Sequence, residues 1–362
     1  MLKFTTGCYN SKMVLELLKI FLPTLTAFFI GLFITPFATH FFYKYKMWKK
    51  YSRRSGTVNE FQKIHNENEE LSTPRVGGII VWLSILFSTL LFYLISIFFP
   101  SGTTQGINFL SSNQTLIPLV VLLLGSILGL WEDLLQIYGS GKIARDNKSW
   151  RIGKIFLILF ISFFIGCWFY FKLGMVSLHI PFGGELYLGI LLIPFFMLVA
   201  LSTFSGSIID GIDGLSGGVL ATIFSAYSVI AYMNNQLDLA AFGGVATGAI
   251  LAFLWFNIPP ARFYMGETGM MGLTLVLATF AFLTNSVFIL PVVAMALVVT
   301  SFSAILQIFS RKFRGGKKIF KVSPLHHHFQ AIGWPSTKVV MRYWIFSIAF
   351  AIIGIILFVI SK

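Results

Sequence analysis

Long apolar stretches alternate with short polar segments along almost the whole chain. A helix needs roughly 20 apolar residues to cross a bilayer, and ten stretches reach about that length. The break between the eighth and ninth stretches is thin, because only Asn285 and Ser286 interrupt the apolar run. The pattern predicts an all-α polytopic membrane protein with spanning helices at about 17–43, 76–99, 116–135, 153–175, 187–206, 215–233, 238–256, 268–286, 287–310 and 341–361.

Two connecting segments have patterns of their own. The sequence VSLHIPFGGELYLG at 176–189 alternates roughly around Gly183 and Gly184, which predicts a short β-hairpin. The segment 57–72 is polar and rich in acids, and it is expected to form a mobile loop. Because no internal repeat is found, residues 1–362 are interpreted as a single integral membrane domain.

Basic residues are concentrated in alternate connections. The segments 44–75 and 311–342 hold eight Lys and Arg residues each, whereas the four intervening connections hold Lys172 and no other. The positive-inside rule therefore places the basic loops in the cytoplasm, and both termini and the hairpin outside. The cytoplasmic loops are predicted at about 44–75, 136–152, 207–214, 257–267 and 311–340.

Composition agrees with this topology. The chain is 56% hydrophobic and only 11% charged, with a mean hydropathy of +0.83, whereas soluble domains are about 25% charged. The net charge of +14 lies in loops held against a membrane, which suits membrane lipids or phosphorylated substrates and excludes nucleic acid as a partner. Two distant cysteines indicate neither a disulfide framework nor a Cys-based metal site.

Acidic residues are few, and five of the 13 lie at predicted cytoplasmic ends of spans: Glu132, Asp133, Asp210, Asp213 and Glu267. Each has a structural interpretation as a helix end, a turn or a helix start. Acids at this depth are nevertheless expensive and usually functional. Five on one face, beside many cations, predict a site for Mg²⁺ and phosphate, since Mg²⁺ binds one or two carboxylates together with substrate phosphate oxygens.

A run of three histidines, His326 to His328, lies in VSPLHHHFQAIGW at 322–334 on the same predicted face. A metal site, proton transfer, phosphate contact and a solvated loop are all compatible with the tripeptide alone. Successive helical residues are about 100° apart, so the three rings cannot all aim at one point. Spacing of i, i+4 would suit a zinc site better.

Five motifs together resemble the phospho-N-acetylmuramoyl-pentapeptide transferases, within the wider polyprenyl-phosphate N-acetylhexosamine-1-phosphate transferases. TPRVGGI (73–79) resembles the family's TPTMGG, and GLWEDLLQ (129–136) resembles GFxDDxxK. SIIDGIDGL (207–215) is similar to NLTDGLDGL, and WFNIPPARFYMGETG (255–269) to WFNxxPAxxFMGDTG. FKVSPLHHHFQAIGWP (320–335) resembles RMxPIHHHFExxGWxE and is the most specific. The resemblance extends from about residue 17 to the C-terminus.

The resemblance implies a reaction and its partners. The donor is UDP-N-acetylmuramoyl-pentapeptide (UDP-MurNAc-pentapeptide) and the acceptor is undecaprenyl phosphate. Transfer of the phospho-sugar-peptide gives lipid I and UMP in peptidoglycan biosynthesis, and it requires Mg²⁺. The resemblance also implies the inner (plasma) membrane of a bacterial cell, an active site on the cytoplasmic face, and a homodimer.

By motif position, Glu267 takes the place of the family's metal-binding Asp, with Asp210 as a further metal ligand. Asp133 would orient or deprotonate the acceptor phosphate, or act as the nucleophile in a two-step mechanism. The expected catalytic residues are Glu132, Asp133, Asp210, Asp213 and His326. The expected substrate-binding residues are Lys154, Asn257, Gln307, His327 and His328.

The chain also departs from the family's motifs. Glu132 and Glu267 stand where Asp is expected, which lengthens both side chains by one methylene in chemistry where a misplacement of about 1 Å can cost about a hundredfold. Other departures are Phe204, Ser207, Gln136 and Met270. These changes keep two alternatives open: a sibling transferase for another UDP-amino sugar, and a catalytically silent paralogue that binds lipid phosphate. A transporter would place its acids near the bilayer midplane instead.

Overall fold

The computed structural model describes residues 3–49, 71–111, 113–139 and 148–362. Within these ranges almost all regular structure is helical. The predicted mobile loop at 57–72 lies outside them except for its last two residues. The helices are α1 (Lys3–Lys44), α2 (Gly78–Phe98), α3 (Gly102–Ile107), α4 (Leu116–Tyr138), α5 (Lys148–Cys167), α6 (Leu192–Ser205), α7 (Leu215–Met233), α8 (Leu237–Asn257), α9 (Gly266–Leu283), α10 (Leu290–Val293), α11 (Met295–Phe313), α12 (Leu325–Ala331) and α13 (Ser336–Ile360).

The prediction of an all-α polytopic membrane protein is confirmed. Among the described residues, ten helical segments are long and apolar enough to cross a membrane. Such helices satisfy their own backbone hydrogen bonds, which the bilayer core requires. The short break after the eighth span is sufficient to separate it from the ninth. Asn285 takes a left-handed conformation there, with a φ of 50°, which Asn tolerates better than most residues.

Three predicted spans differ in detail from the structure. The helix of the first, expected at 17–43, already begins at Lys3. The ninth, expected at 287–310, is divided into the short helix α10 and the spanning helix α11, which begins only at Met295. The last span begins at Ser336 rather than 341. In its polar first turns, Lys338 and Arg342 lie over the Trp334 ring, 5.1 and 4.2 Å from its centroid.

Helix α9 lies at the centre of the bundle. About 94% of the residues in its membrane-spanning stretch are buried. The corresponding values are 17% for α1 and 22% for α13, so the apolar surfaces of these two helices face lipid. Close packing of α9 on α4 depends on small residues, as is common between membrane helices. A Cβ on Gly125 would lie 2.8 Å from the Cα of Gly272. This packing brings the acids of α4 to the first turn of α9.

The predicted hairpin at 176–189 is confirmed. Strands β1 (Ser177–Ile180) and β2 (Gly184–Tyr187) pair antiparallel. The hairpin is tied to the C-terminal ends of α9 and α13. The backbone N–H of His179 donates to Asn285 Oδ1 at 2.9 Å, and His179 Nε2 lies 3.0 Å from the Ser361 carbonyl oxygen.

The connections that carry the sequence motifs meet at the other end of α9, where Glu267 lies. The N–H groups of Gly77 and Gly78 donate to the carbonyls of Tyr264 and Met265 at 2.9 Å, which ties the start of α2 to the start of α9. The indole Nε1 of Trp344 in α13 donates to the Gly214 carbonyl at 3.1 Å. Segments far apart in sequence therefore meet at one end of the bundle.

Candidate active site

Three charged side chains form the carboxylate–lysine cluster, defined as Glu132, Lys154 and Glu267. Lys154 Nζ lies 2.7 Å from Glu132 Oε1 and 2.9 Å from Glu267 Oε1. The helices approach closely enough for this contact because Gly129, one turn before Glu132, faces the Glu267 backbone. A Cβ at Gly129 would lie 2.1 Å from the Glu267 carbonyl oxygen. Both motif acids that are Glu where Asp was expected therefore share one ammonium group.

The acids around this cluster are not fully satisfied by the protein. Among the described residues, Glu132 Oε2, Glu267 Oε2 and Asp133 Oδ1 are buried and have no hydrogen-bond partner. The second oxygen of Asp133 accepts from the Thr268 N–H at 2.9 Å. Buried carboxylate oxygens without partners are costly. The arrangement is therefore suited to a further donor or a cation.

The aspartate loop, defined as residues 207–214, presents its two carboxylates differently. Asp210 accepts from the Ser216 hydroxyl at 2.8 Å and from the Gly266 N–H at 3.1 Å. Asp213 accepts from the Ala261 N–H at 3.0 Å. Burial raises the pKa of Asp210 above its ordinary value, although the Ser216 hydrogen bond and the positive charge of Arg75 oppose the shift.

Asn257 and Gln307, both predicted to bind substrate, form hydrogen bonds with the backbone of neighbouring segments. Asn257 Oδ1 accepts from the Gly214 N–H and its Nδ2 donates to the Phe263 carbonyl, both at 2.9 Å. Gln307 Oε1 accepts from the N–H groups of Ile319 and Phe320, at 3.0 and 3.1 Å. These contacts fix the aspartate loop and the approach to the histidine segment.

The three histidines lie on the short helix α12 and are not equivalent. His326 and His327 are buried, and each Nε2 lies 2.8 Å from the point where a Cβ on Gly211 would sit. His328 points elsewhere, and its Nδ1 accepts from the Lys321 N–H at 3.2 Å. Burial, and then the Lys321 charge, lowers the pKa of His328. Two rings therefore face the aspartate loop, while the third packs against its own connection.

A cavity of about 190 Å³ lies between the aspartate loop, the start of α9 and the histidine segment. It is lined by Arg75, Ser207, Ile208, Asp210, Gly211, Gly266, Glu267, Met270, Ser323, Pro324 and His327. Of the predicted site residues, Asp210, Glu267 and His327 belong to this lining. The other eight predicted site residues do not: Glu132, Asp133, Lys154, Asp213, Asn257, Gln307, His326 and His328. Arg75 and Ser323 were not among the predicted site residues, although both lie inside motifs that carried the resemblance.

The residues present fit a magnesium ion that completes its coordination from substrate. In the part of the chain that the structure describes, no group of three or more His, Cys, Asp or Glu side chains is arranged to hold a metal ion. Asp210 and Glu267 both line the cavity, and Glu267 Oε2 has no partner within those residues. Mg²⁺ needs only one or two carboxylates when phosphate oxygens supply further ligands.

Comparison with known proteins places this fold and site in a class. Residues 115–285 match the family described as Glycosyl transferase family 4. That region includes all three residues of the carboxylate–lysine cluster and the whole aspartate loop. The protein is thus a multi-pass membrane enzyme of the glycosyl transferase type.

Relatives over most of the chain narrow the class further. A phospho-N-acetylmuramoyl-pentapeptide-transferase from Geobacillus sp. (strain WCH70) is 34% identical, over 80% of this chain and 85% of its own length. Proteins of the same name are 30% identical in Bacillus velezensis, over 91% and 94%, and 32% identical in Bacillus subtilis (strain 168), over 82% and 86%. The chain belongs to the phospho-N-acetylmuramoyl-pentapeptide transferase family.

Proposed function

We propose that this protein transfers phospho-N-acetylmuramoyl-pentapeptide from UDP-MurNAc-pentapeptide to undecaprenyl phosphate, giving lipid I and UMP. The reaction would take place with Mg²⁺ at the cytoplasmic face of a bacterial inner membrane. Family membership supports the proposal. The observation that carries it is the cavity at which Asp210, Glu267, Arg75 and His327 converge.

The size of the cavity fits the phosphates rather than the whole donor. Ligand pockets for drug-sized molecules measure about 300–1,000 Å³, whereas this one holds about 190 Å³. The uridine, the sugar and the peptide would lie in the open mouth, and the prenyl chain in the bilayer. The lining residues then act on the groups that react.

The chemistry is a displacement at phosphorus. An oxygen of the acceptor phosphate attacks the sugar-linked phosphorus of the donor, and the bond to the bridging oxygen breaks so that UMP leaves with its electron pair. Catalysis of phosphoryl transfer is mostly positioning and charge stabilisation. Mg²⁺ held by Glu267 and Asp210 would offset the charge that develops on the leaving UMP.

The chain's own residues would position the two phosphates. Asp133 is fully buried and lies outside the cavity lining, and one of its oxygens has no hydrogen-bond partner among the described residues. Once substrate reaches this oxygen, it would orient the acceptor phosphate or accept its proton. His327, with its Nδ1 2.8 Å from Gln330 Oε1, is held at the cavity wall as a phosphate contact. Lys154 fixes Glu132 and Glu267 relative to each other.

The test uses purified full-length protein in detergent with UDP-MurNAc-pentapeptide, undecaprenyl phosphate and Mg²⁺, and follows UMP release. Release that requires both substrates and stops with EDTA is the expected result. Release with UDP-N-acetylglucosamine but not with the peptide donor would indicate the sibling transferase. Retained lipid-phosphate binding without release from any donor would indicate a silent paralogue. Cross-linking in membranes tests the homodimer, which stays a prediction.

A further inference from the structure

Arg75 is a cavity residue to which the family's motifs assign no role. Among the described residues that line the cavity, it is the one Lys or Arg. Its side chain is only 16% exposed. A largely buried guanidinium beside a cavity suits an anion contact, because its planar fork of N–H donors matches the geometry of phosphate oxygens.

The backbone of this residue is held on both sides. The Arg75 N–H donates to the Met47 carbonyl at 3.0 Å, and the preceding Pro74 carbonyl accepts from the Tyr264 N–H at 2.8 Å. The Arg75 carbonyl also packs directly on Gly266, whose φ is +67° and where a Cβ would lie 1.9 Å away. The side chain therefore starts from a rigid point next to Glu267.

The guanidinium is close to a carboxylate but does not bond to it. Arg75 Nε lies 3.9 Å from Asp133 Oδ1, whereas an N–H···O hydrogen bond spans about 2.7–3.2 Å. Both atoms are buried and lack a hydrogen-bond partner within the described residues. Because a guanidinium carries five N–H donors, Arg75 can donate hydrogen bonds to an oxyanion while it remains near Asp133.

The nearby cation Lys154 is already engaged. Its ammonium lies within hydrogen-bonding distance of both Glu132 and Glu267, so substrate phosphate would compete with two carboxylates for it. The motif quoted above for the family has Thr at the position of Arg75, so this charge is a departure from that motif. Arginine is the residue best matched to phosphate, because its planar fork can donate two parallel bonds.

We propose that Arg75 binds a substrate phosphate in the cavity, as an anion contact that the family's quoted motif does not contain. The assignment rests on the proposed function only for the nature of the ligand. The phosphate has two sources, the diphosphate of the nucleotide donor and the monoester of the lipid acceptor. Both offer the same oxygens to the guanidinium.

The test measures binding without turnover. UDP stands for the donor and a short-chain polyprenyl phosphate for the acceptor, each titrated calorimetrically into full-length protein in detergent. Arg75→Gln is expected to weaken binding of one or both probes about 10- to 100-fold, the effect of losing a charge-assisted hydrogen bond. The probe whose binding is weakened identifies the source of the phosphate that Arg75 contacts. Weaker binding of both probes would place Arg75 at a phosphate position that donor and acceptor share.

Two further variants keep the test decisive if Arg75→Gln does not fold. Arg75→Lys keeps the charge but loses the fork, so it should bind more tightly than the neutral variants and less tightly than wild type. Arg75→Thr installs the residue of the family's motif and should behave as Arg75→Gln does. Arg262→Gln is the matched control, because Arg262 is an exposed arginine at the same end of the bundle, 5.5 Å from the Phe256 ring centroid.

Binding of both probes within twofold of wild type in a folded neutral variant overturns the assignment. Failure of the wild-type protein to bind either probe overturns it as well. A selective loss of binding in Arg75→Gln, combined with no UMP release by wild type, would support Arg75 and reject the proposed reaction. The two proposals can therefore fail separately.

Discussion

The aspartate loop and the carboxylate–lysine cluster are both acidic and both reach the same end of the bundle, yet their oxygens are used differently. Asp210 and Asp213 accept hydrogen bonds from Ser216 and from the backbone of other segments. Glu132 and Glu267 share one ammonium, and each has an oxygen without a hydrogen-bond partner in the described chain. Both oxygens of Asp210 and one oxygen of Asp213 therefore accept hydrogen bonds within the protein, although Asp210 also lines the cavity, whereas each cluster acid has an oxygen that accepts none from the described residues.

The largest effect is expected where the cluster loses charge. Glu267→Gln should lower UMP release at least about a thousandfold, because the amide cannot replace a carboxylate at a cation that neutralises the leaving group. Thermal unfolding in detergent should stay within a few degrees of wild type, since the side chain keeps its size. Glu185→Gln, at an acid in β2 of the hairpin, is the control and should retain full turnover. A Glu267→Gln enzyme near the wild-type rate would falsify the site assignment.

A smaller effect tests whether the two glutamates work as a pair. Glu132→Asp and Glu267→Asp should each slow turnover about 10- to 100-fold, because each draws a carboxylate away from Lys154 in a site sensitive to shifts of about 1 Å. In the double variant Lys154 can recentre between two shortened acids, so the combined loss should be smaller than the product of the single losses. Residues in contact couple by about 0.5–3 kcal/mol. Strictly multiplicative losses would show that the acids act independently.

The smallest effect is expected in the aspartate loop and should appear in stability. Asp213→Ala removes the acceptor of the Ala261 N–H and should lower the free energy of unfolding by about 1–3 kcal/mol, the usual cost of an unsatisfied donor. Asp213→Asn keeps a side-chain oxygen at that place and should unfold closer to wild type. Thermal unfolding followed by intrinsic fluorescence measures both variants. Equal stability of the two would remove the distinction drawn between the loop and the cluster.

Hydropathy predicted most of the fold because the free energy of burying apolar side chains in lipid adds up residue by residue. This sum does not depend on which helices pack against each other. Ten spans, the hairpin and the sharing of one end by the motif acids all follow from that pattern. The break at Asn285 was correctly placed. The start of the ninth span was wrong by the most among the later spans, because the short helix α10 is as apolar as the span that follows it, and the last span begins five residues earlier than predicted.

The site was less predictable, because its contacts join residues far apart in sequence. Nothing local shows that Lys154 bridges both glutamates, since this contact depends on the close approach at Gly129. The motifs also place Asn257 beside substrate, whereas its amide is used by the backbone. Arg75 was visible as a departure from TPTMGG, but a basic residue before a span is equally typical of topology.

The contact between Trp344 and the Gly214 carbonyl has a consequence for biogenesis. The two residues are 130 positions apart, a distance that takes roughly 6 to 26 s to synthesise at about 5–20 residues per second. During this interval the aspartate loop has already been synthesised, whereas α13 is not yet complete. Gly218 of α7, on which Trp344 packs so closely that a Cβ would lie 2.0 Å from its Nε1, has no cover until then. The packing around the aspartate loop is therefore completed only after α13 has been synthesised.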